Sequence, residues 1–398
     1  MHWKGDNIDM ETRVLINRRM VKKNKDLIEC QKQVRKSNKK VKGSLLKASL
    51  NKLAYLPSSD SYLDLTDNTG NDDTHKLVSM PEDLNALLDR LQEKKVCGMS
   101  GSGFSTAEKL NTLIATRAPY KFFVINAVAC DPGLLQDEWL IRNRLAEIEK
   151  GITLLRRYLT FEQIILATKI EQKREDQSVP YSIVRVPDRY PMGEERILIH
   201  QVLGRSIPYT KTPAEQGVLV LNVQTVYDIY RAVYRDQENQ DKLITVHDLN
   251  SGKAVLVRAP YGMLIADIIE KVWSEFRKKD AEYVASNPVY DGSGIMSAAL
   301  SARDAKVTDK TNYIGIGKAA DYPENIRCKG CGACVKNCPF HVNIAKIVKA
   351  MRKGKFSKDG VDHYHATDCI SCGCCTYFCS AGNNTMDLVR RYKERMSV

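Results

Sequence analysis

The chain has 398 residues, 43% of them apolar, and a formal net charge of +13, which is enough material for two or three domains with ordinary cores. No stretch reaches the roughly 18 apolar residues that a membrane span needs, and the first residues lack the apolar core of a secretory signal. These features argue against an integral membrane protein and a secreted one, so we expect a cytoplasmic protein. A peripheral contact with the inner face of the membrane remains open.

The positive charge is concentrated near the N-terminus. Residues 13–52 contain 14 Lys or Arg side chains and two acidic ones. Such a basic arm would bind anionic lipid, nucleic acid or a partner subunit, or it would be a solvated tail. It contains no aromatic residue on which single-stranded bases would stack, so nucleic acid is disfavoured relative to a partner or membrane surface.

Helical and strand patterns alternate over the middle of the chain, which predicts an α/β fold. We expect a linker or long loop at 57–75, a helix at 81–95, a strand at 121–129, a helical stretch at 136–158, a segment at 161–169 that begins helical and becomes a strand, a strand at 217–223 and a helix at 225–236. Residues 242–275 predict two strands, a turn and a helix, and 280–320 are expected to be mostly irregular.

Nine of the 12 cysteines lie between 328 and 379, a density that indicates metal rather than disulfides. Residues 328–339 read CKGCGACVKNCP and residues 369–380 read CISCGCCTYFCS. This spacing is typical of two-cluster ferredoxins, in which the fourth cysteine of each run ligates the other cluster. We therefore assign one [4Fe–4S] cluster to Cys328, Cys331, Cys334 and Cys379, and a second to Cys369, Cys372, Cys375 and Cys338. A zinc site is the alternative, but zinc prefers two separated pairs of ligands.

A basic run at 346–358 separates the two motifs. It would either dock an acidic electron carrier or form a solvated helix face.

A glycine-rich loop, GMSGSGFSTAEKL, occupies residues 98–110. Such a loop before a helix suits a phosphate, although in isolation it is also typical of a surface turn. Together with INAVACDPG (125–133), YPMGEERILIHQVLGRSIP (190–208), GVLVLNVQT (217–225), VTDKTNYIGIGKA (307–319) and the double cysteine motif, it resembles the C subunit of Rnf complexes. The flavin subunit of respiratory complex I and the cobalamin reductase of propanediol-utilising microcompartments share this core.

The resemblance implies a Rossmann-like flavin domain, a β-grasp-like (SLBB) module and a C-terminal two-cluster ferredoxin-like α domain. The implied boundaries are a basic arm and linker at 1–80, an FMN- and NADH-binding domain at 81–240, the β-grasp-like module at 241–290, a connecting segment at 291–320 and the cluster domain at 321–398. The implied activity is hydride transfer from NAD(P)H to FMN, followed by single-electron transfer through the clusters to a protein or corrinoid acceptor. The chain would be one component of a larger redox complex.

The resemblance also implies roles for individual residues. The FMN phosphate and ribityl chain would be held by Gly98, Gly101, Gly103 and Lys109. Asn126 and Asp131 would face the isoalloxazine ring, and Asn222 and Thr225 would close the far side of the phosphate site. Phe104 and Tyr190 would approach the dinucleotide. Glu194 and Glu195 match an acidic pair near the nicotinamide and, with Asp131, are the candidate catalytic residues.

The motifs depart from the family pattern at several positions. Ser100 replaces a glycine and Ser105 a proline of the loop, and Ala129 replaces an acid expected near the flavin and nicotinamide. These changes leave open a second hypothesis, in which the chain is a non-enzymatic iron–sulfur relay with a degenerate nucleotide pocket, docked by its basic arm.

Overall fold

The computed structural model describes residues 62–66, 79–129, 133–173, 178–188, 190–248, 253–272, 284–285, 305–316, 326–354 and 364–396. The basic arm and Asp131 lie outside these residues. The described residues divide into a larger unit, within Lys52–Asn287 and Ala299–Gly317, and a cysteine unit, within Lys318–Val398. In the described part of the chain, no helix combines the length and the hydropathy needed to cross a membrane.

The described strands are, in chain order, β1 (Tyr62–Asp64), β2 (Phe122–Ala127), β3 (Gln163–Thr168), β4 (Ser182–Arg185), β5 (Val218–Asn222), β6 (Asp241–Asp248), β7 (Ala254–Pro260), β8 (Val284–Ala285) and β9 (Tyr313–Ile316). The described helices are α1 (Leu84–Glu93), α2 (Thr106–Ala115), α3 (Gln136–Asn143), α4 (Leu145–Tyr158), α5 (Glu195–Leu203), α6 (Val223–Tyr234), α7 (Ile265–Val272), α8 (Ala333–Lys336), α9 (Ile344–Lys353), α10 (Cys374–Tyr377) and α11 (Thr385–Met396).

The larger unit contains a four-stranded parallel sheet in the order β4-β3-β2-β5. Every residue after the first in β2 and β3 is buried, as expected for parallel strands covered by helices on both faces. The chain runs from β2 outward to β3 and β4 and then returns to the other side of β2 as β5. The carboxyl ends of β2 and β5 therefore flank a topological switch point, where open parallel sheets bind their ligands.

Two elements of this layer differ from the sequence prediction. The helical stretch over 136–158 is two helices, because Arg144 leaves the helical region with φ −136° and ψ 26°. The segment 161–169 has no helical start. The amide of Glu162 donates to the carbonyl of Lys121 and so brings the chain alongside β2, where it forms β3.

A second, mixed sheet has the order β1-β7-β6-β9-β8. β6 and β7 form the expected antiparallel pair, and the buried face of α7 packs on them. The outer strands differ from the prediction. The segment expected to be a linker contains β1, which is parallel to β7, and the segment expected to be irregular contains β9, which is parallel to β6. These strands of three and four residues are too short to show a pattern, and pairing with the β6–β7 hairpin stabilises them.

Buried ion pairs and one aromatic contact join the two sheets. Arg231 of α6 lies 2.7 Å from Asp241 of β6, and Arg258 of β7 lies 3.0 Å from the same carboxylate. Tyr62 of β1 stacks on Trp139 of α3 with ring centroids 4.7 Å apart. Removing one partner from a buried ion pair leaves an uncompensated charge, so these contacts hold the second sheet in one place on the first.

The cysteine unit is an internal repeat. Gly332 and Gly373, with φ +71° and +72°, precede the one-turn helices α8 and α10, which carry the third cysteine of each motif. Helices α9 and α11 follow at corresponding positions and pack against each other. The apolar face of α9 is buried through Ile344, Ile347 and Val348.

Candidate functional site

The glycine-rich loop, residues 98–104, connects α1 to α2. The amide of Gly98 donates to the carbonyl of Phe104 over 2.8 Å, and the amide of Met99 donates to Thr225 Oγ1 over 3.0 Å. Thr225, predicted from the sequence, therefore fixes the loop to the first turn of α6. Ser105, where the family has proline, caps α2 by accepting from the amide of Glu108.

The turn at 309–312 supports this loop. Gly101 and Gly103 have φ +103° and +63°, and a Cβ atom there would lie 2.7 Å from Asn312 Nδ2 and 2.1 Å from Asp309 Oδ2. These two glycines are therefore required by a positive φ and by close packing of the loop on the turn.

A buried lysine that sequence reasoning missed holds that turn. Lys242 of β6 is fully buried, and its Nζ donates to the carbonyl of Asp309. Burial lowers the pKa of Lys242 to about 8, with the nearby thiol of Cys97 and carboxylate of Asp309 opposing the shift. The strand reads DKLITVHD, so Lys242 is one of several polar residues in it, and no local pattern marked this lysine as special.

Lys109, on α2, contacts two other elements. Its Nζ donates to the carbonyl of Val220 in β5 and to Glu195 Oε1 at the start of α5, each over 2.8 Å. The structure thus brings together Lys109 and Glu195, which the sequence assigned to the phosphate and to the nicotinamide. In this arrangement Glu195 neutralises Lys109.

Asn126 and Asn222 are paired in register at the carboxyl ends of β2 and β5. Asn126 Nδ2 donates to the carbonyl of Gly193 over 2.9 Å. Asn222 caps α6 and directs its Nδ2 to both carboxylate oxygens of Asp137, at 3.2 and 3.3 Å. Burial raises the pKa of Asp137 to about 6, opposed by the Asn222 hydrogen bond. Asp137 was missed because nothing in the sequence links it to Asn222.

Glu194 is 6% exposed and caps α5 by accepting from the amides of Arg196 and Ile197. Burial raises its pKa to about 7, although the amide of Ile197 and the guanidinium of Arg196 favour the charged form. This carboxyl therefore gains or loses a proton near neutral pH. Glu194 and Glu195 are neighbours in sequence but contact different partners.

The remaining predicted flavin-site residues differ in exposure. Phe104 is 49% exposed on the loop, and Tyr190 is half-buried just before the segment that leads into α5. Asp131 lies outside the described residues. The donors that do meet at the carboxyl edge are amides, hydroxyls and one ammonium, a set whose chemistry fits the phosphate and hydroxyls of a nucleotide.

The cysteines form two groups that cross the motifs. Burial is the main cause that raises the pKa of Cys334 to about 11. The nearby sulfur atoms of Cys379, Cys328 and Cys331 raise it further. Cys338 of the first motif instead lies near Cys372 and Cys369 of the second, and burial with those neighbours raises its pKa to about 12.

The four cysteines of the first group line a pocket together with apolar, polar and small residues. The pocket residues include Cys328, Cys331, Cys334, Cys379, Ala345 and Val348. Among the described residues, no three His, Cys, Asp or Glu side chains converge closely enough to hold a metal ion. All four cysteines of the first group line one pocket, and a cubane cluster needs four separate ligands of this kind at its corners.

Donors point at several of these sulfur atoms. The amides of Gly330 and Ser371 donate to Cys328 Sγ and Cys369 Sγ over 3.4 Å, at corresponding positions of the repeat. Ser380, which stands where proline is usual, places its hydroxyl 3.6 Å from Cys331 Sγ. Hydrogen bonds to sulfur are one of the determinants of a cluster's reduction potential.

Residues 91–231 match the family model described as the Nuo51 FMN-binding domain. Curated relatives are named as the C subunit of an ion-translocating oxidoreductase complex. The protein of Pseudomonas aeruginosa is 28% identical over 266 residues, covering 64% of this chain and 33% of that one. The protein of Pasteurella multocida is 26% identical over 306 residues, covering 74% and 35%.

The alignments thus span about a third of the length of these relatives. A crystal structure of an NAD+-reducing [NiFe]-hydrogenase in the H2-reduced state aligns at 19% identity with a TM-score of 0.49, over 79% of this chain and 62% of that one. The chain therefore resembles the C subunit of ion-translocating oxidoreductase complexes, as its motifs predicted, and the parallel sheet of its larger unit lies in the part that matches the Nuo51 FMN-binding domain.

Proposed function

We propose that the chain is a flavo-iron–sulfur electron-transfer subunit that passes electrons from NAD(P)H through FMN to two [4Fe–4S] clusters and on to a protein or corrinoid acceptor. One observation carries this proposal. The part that matches an FMN-binding domain contains a topological switch point at which the glycine-rich loop, Lys109, Asn126 and Asn222 come together.

The residues at this edge have distinct roles in the proposal. Gly98, Gly101 and Gly103 present backbone to the phosphate, and the start of α2 adds amides and the positive end of its dipole. Lys109 supplies the ammonium. Thr225 holds the loop in place, since it accepts from the amide of Met99.

Bound FMN would supply the chemistry that accepts a hydride and releases electrons one at a time. Asn126 and Asp131 would orient the isoalloxazine ring, and Asn222 would close the far side of the phosphate site. Phe104 and Tyr190 would contact the dinucleotide. Glu194, with a pKa of about 7, would hold or release a proton at its carboxylate, beside the paired Glu195.

We further propose that the second sheet is the β-grasp-like module and that the cysteine unit is a two-cluster ferredoxin-like domain with the crossed ligands assigned from the sequence. Because the curated relatives are named as subunits of a complex, the acceptor or donor would be another protein of such a complex. Contact with a membrane surface through the basic arm belongs to the same proposal.

The test is anaerobic purification of the full chain, with iron, acid-labile sulfide and extracted flavin counted per chain. We expect one FMN and two clusters, and bleaching of both the flavin and the cluster absorbance when NADH is added.

The relay hypothesis remains a second candidate for a specific reason. Ala129, half-buried just beyond β2, provides no carboxylate, and Lys109 neutralises Glu195. A chain that contains both clusters but no flavin, and does not respond to NADH, would establish the relay. Zinc in place of iron would contradict both hypotheses.

A further inference from the structure

The described segment that contains three cysteines of the first group has Lys and Arg side chains but no acidic ones. Residues 326–354 contain no Asp or Glu. Their exposed basic side chains, which we call the basic surface, are Arg327, Lys329, Lys336, Lys346, Lys349, Arg352 and Lys353.

The two cysteine groups differ in their access to solvent. In the first group Cys331 is exposed, and the other three cysteines are partly exposed. In the second group Cys338, Cys372 and Cys375 are each less than a tenth exposed, and only Cys369 is partly exposed. Electron transfer between proteins needs a short path from the surface, so the first group is the one a partner would reach.

Helix α9 connects the basic surface to the first group. Its inner side contributes Ala345 and Val348 to the pocket that those cysteines line. Its outer side exposes Lys346 and Lys349, followed by Arg352 and Lys353 in the last turn. A partner bound to these lysines would therefore lie beside the pocket.

The corresponding helix of the repeat, α11, has a smaller basic excess, because it also contains Asp387 and Glu394. Arg390 lies 2.7 Å from Asp387 and 2.8 Å from Glu394, and Arg391 lies 2.8 Å from Asp387. The absence of acidic residues beside the basic ones is thus a property of the first half of the repeat and is not required by its fold.

We propose that the basic surface docks an acidic one-electron carrier protein, which exchanges electrons with the cluster held by Cys328, Cys331, Cys334 and Cys379. This inference rests on the proposed clusters. In each exchange one electron leaves the reduced cluster and enters the oxidised carrier, or the reverse, and no bond is made or broken. An anionic membrane is less suitable, because the exposed large apolar residues of the described chain, Tyr62, Phe104, Tyr120 and Tyr209, all lie outside this segment.

The binding test compares the full chain with the triple variant Lys346→Glu, Lys349→Glu and Arg352→Glu. Binding of an acidic flavodoxin is measured by calorimetry at about 50 mM and about 300 mM salt, since screening weakens contacts between exposed charges. We expect the triple variant to bind about tenfold more weakly at the lower salt, from three exposed charge pairs.

Two further variants serve as controls. Replacing the same three residues by Gln removes charge without adding acids to α9 and should weaken flavodoxin binding less than the Glu triple variant does. The matched control places the same charge change on α4, as Lys150→Glu, Arg156→Glu and Arg157→Glu, and should leave flavodoxin binding unchanged. The basic arm is present in every variant and so does not contribute to the difference.

A kinetic readout uses small oxidants of opposite charge after photochemical reduction without NADH. For each protein, the rate of cluster oxidation by ferricyanide is divided by the rate with hexaammineruthenium(III). This ratio should be larger for the wild type than for the Glu triple variant. The α4 control should behave as the wild type. Iron and sulfide counts are taken first, so that an absence of clusters, which would refute the proposed function, is distinguished from a failure of docking.

Absence of flavodoxin binding, or equal binding by the wild type and the Glu triple variant, would overturn the proposal. So would loss of binding to phosphatidylserine vesicles in that variant with flavodoxin binding intact, which would assign the basic surface to a membrane.

Discussion

At the scale of single residues, Ser380 gives the first cysteine group a donor that a proline at this position would lack. The amide of Ala333 and the Ser380 hydroxyl are the principal causes that lower the pKa of the exposed Cys331. Stabilising charge on a ligand sulfur favours the reduced, more negative cluster.

We therefore expect Ser380→Ala to make the potential of one cluster more negative, while the second cluster serves as the internal control. Ser380→Thr keeps the hydroxyl and should restore the wild-type value. The measurement is a potentiometric titration followed by electron paramagnetic resonance. Equal shifts of both clusters, or no rescue by threonine, would contradict a role for this hydrogen bond.

Glu194 illustrates a cost imposed by burial. Its raised pKa means that the folded protein binds a proton more tightly than the unfolded chain, so stability falls as pH rises from about 4.5 to about 7. The shift from 4.5 to about 7 corresponds to a cost of roughly 3 kcal/mol above pH 7.

Glu194→Gln keeps an acceptor for the cap and removes this charge. We expect the variant to be stabilised relative to wild type more at pH 8 than at pH 5, as measured by anaerobic thermal melts at both pH values. If the difference in melting temperature between variant and wild type were the same at both pH values, the pKa of Glu194 would not be raised by folding.

At the scale of elements, the glycine-rich loop depends on the turn at 309–312 beneath it. The sequence pattern marked both segments, but it assigned the glycines to a phosphate. The structure adds a second requirement, since Asp309 and Asn312 occupy the space that side chains at Gly103 and Gly101 would need.

Gly103→Ala should therefore weaken FMN binding markedly, because its Cβ would displace the loop from Asp309. Gly204→Ala is the matched control, since Gly204 has φ +64° against +63° for Gly103 and no atom within 4 Å of its Cβ position. Flavin content after gel filtration measures both. Equal losses of flavin in the two variants would show that backbone strain, and not the contact with Asp309, causes the effect.

At the scale of the whole molecule, the two cysteine motifs are separate in sequence but interleaved in the structure. A cluster formed by one motif alone and a pair of crossed clusters have the same cysteine spacing. The neighbours of Cys334 and Cys338 favour the crossed arrangement.

The double variant Cys331→Ser and Cys379→Ser distinguishes the two arrangements. With crossed ligands both changes affect one cluster, and about half of the iron and sulfide should remain. The comparison is Cys375→Ser with Cys379→Ser, which should disrupt both clusters. The opposite outcome, in which the first double variant loses both clusters and the second keeps one, would show that each motif binds its own cluster.

The sequence alone predicted features that depend on local order. Strands β2 and β5 and helix α6 were identifiable because a buried strand needs a short apolar run and a helix needs a repeat of about 3.6 residues. Short strands such as β1 and β9 carry too few residues for a pattern, and their partners are distant in sequence.

The cysteine spacing and the order of the flavin motifs were likewise sequence properties, because they are read within one segment at a time. Only the tertiary structure decided which side chains meet. Asn222 and Asp137 are separated by 85 residues, and Lys242 and Asp309 by 67. The pairing of strands and the return of the chain at the switch point create such contacts, and with them the burial that raises the pKa of Glu194 and lowers that of Lys242.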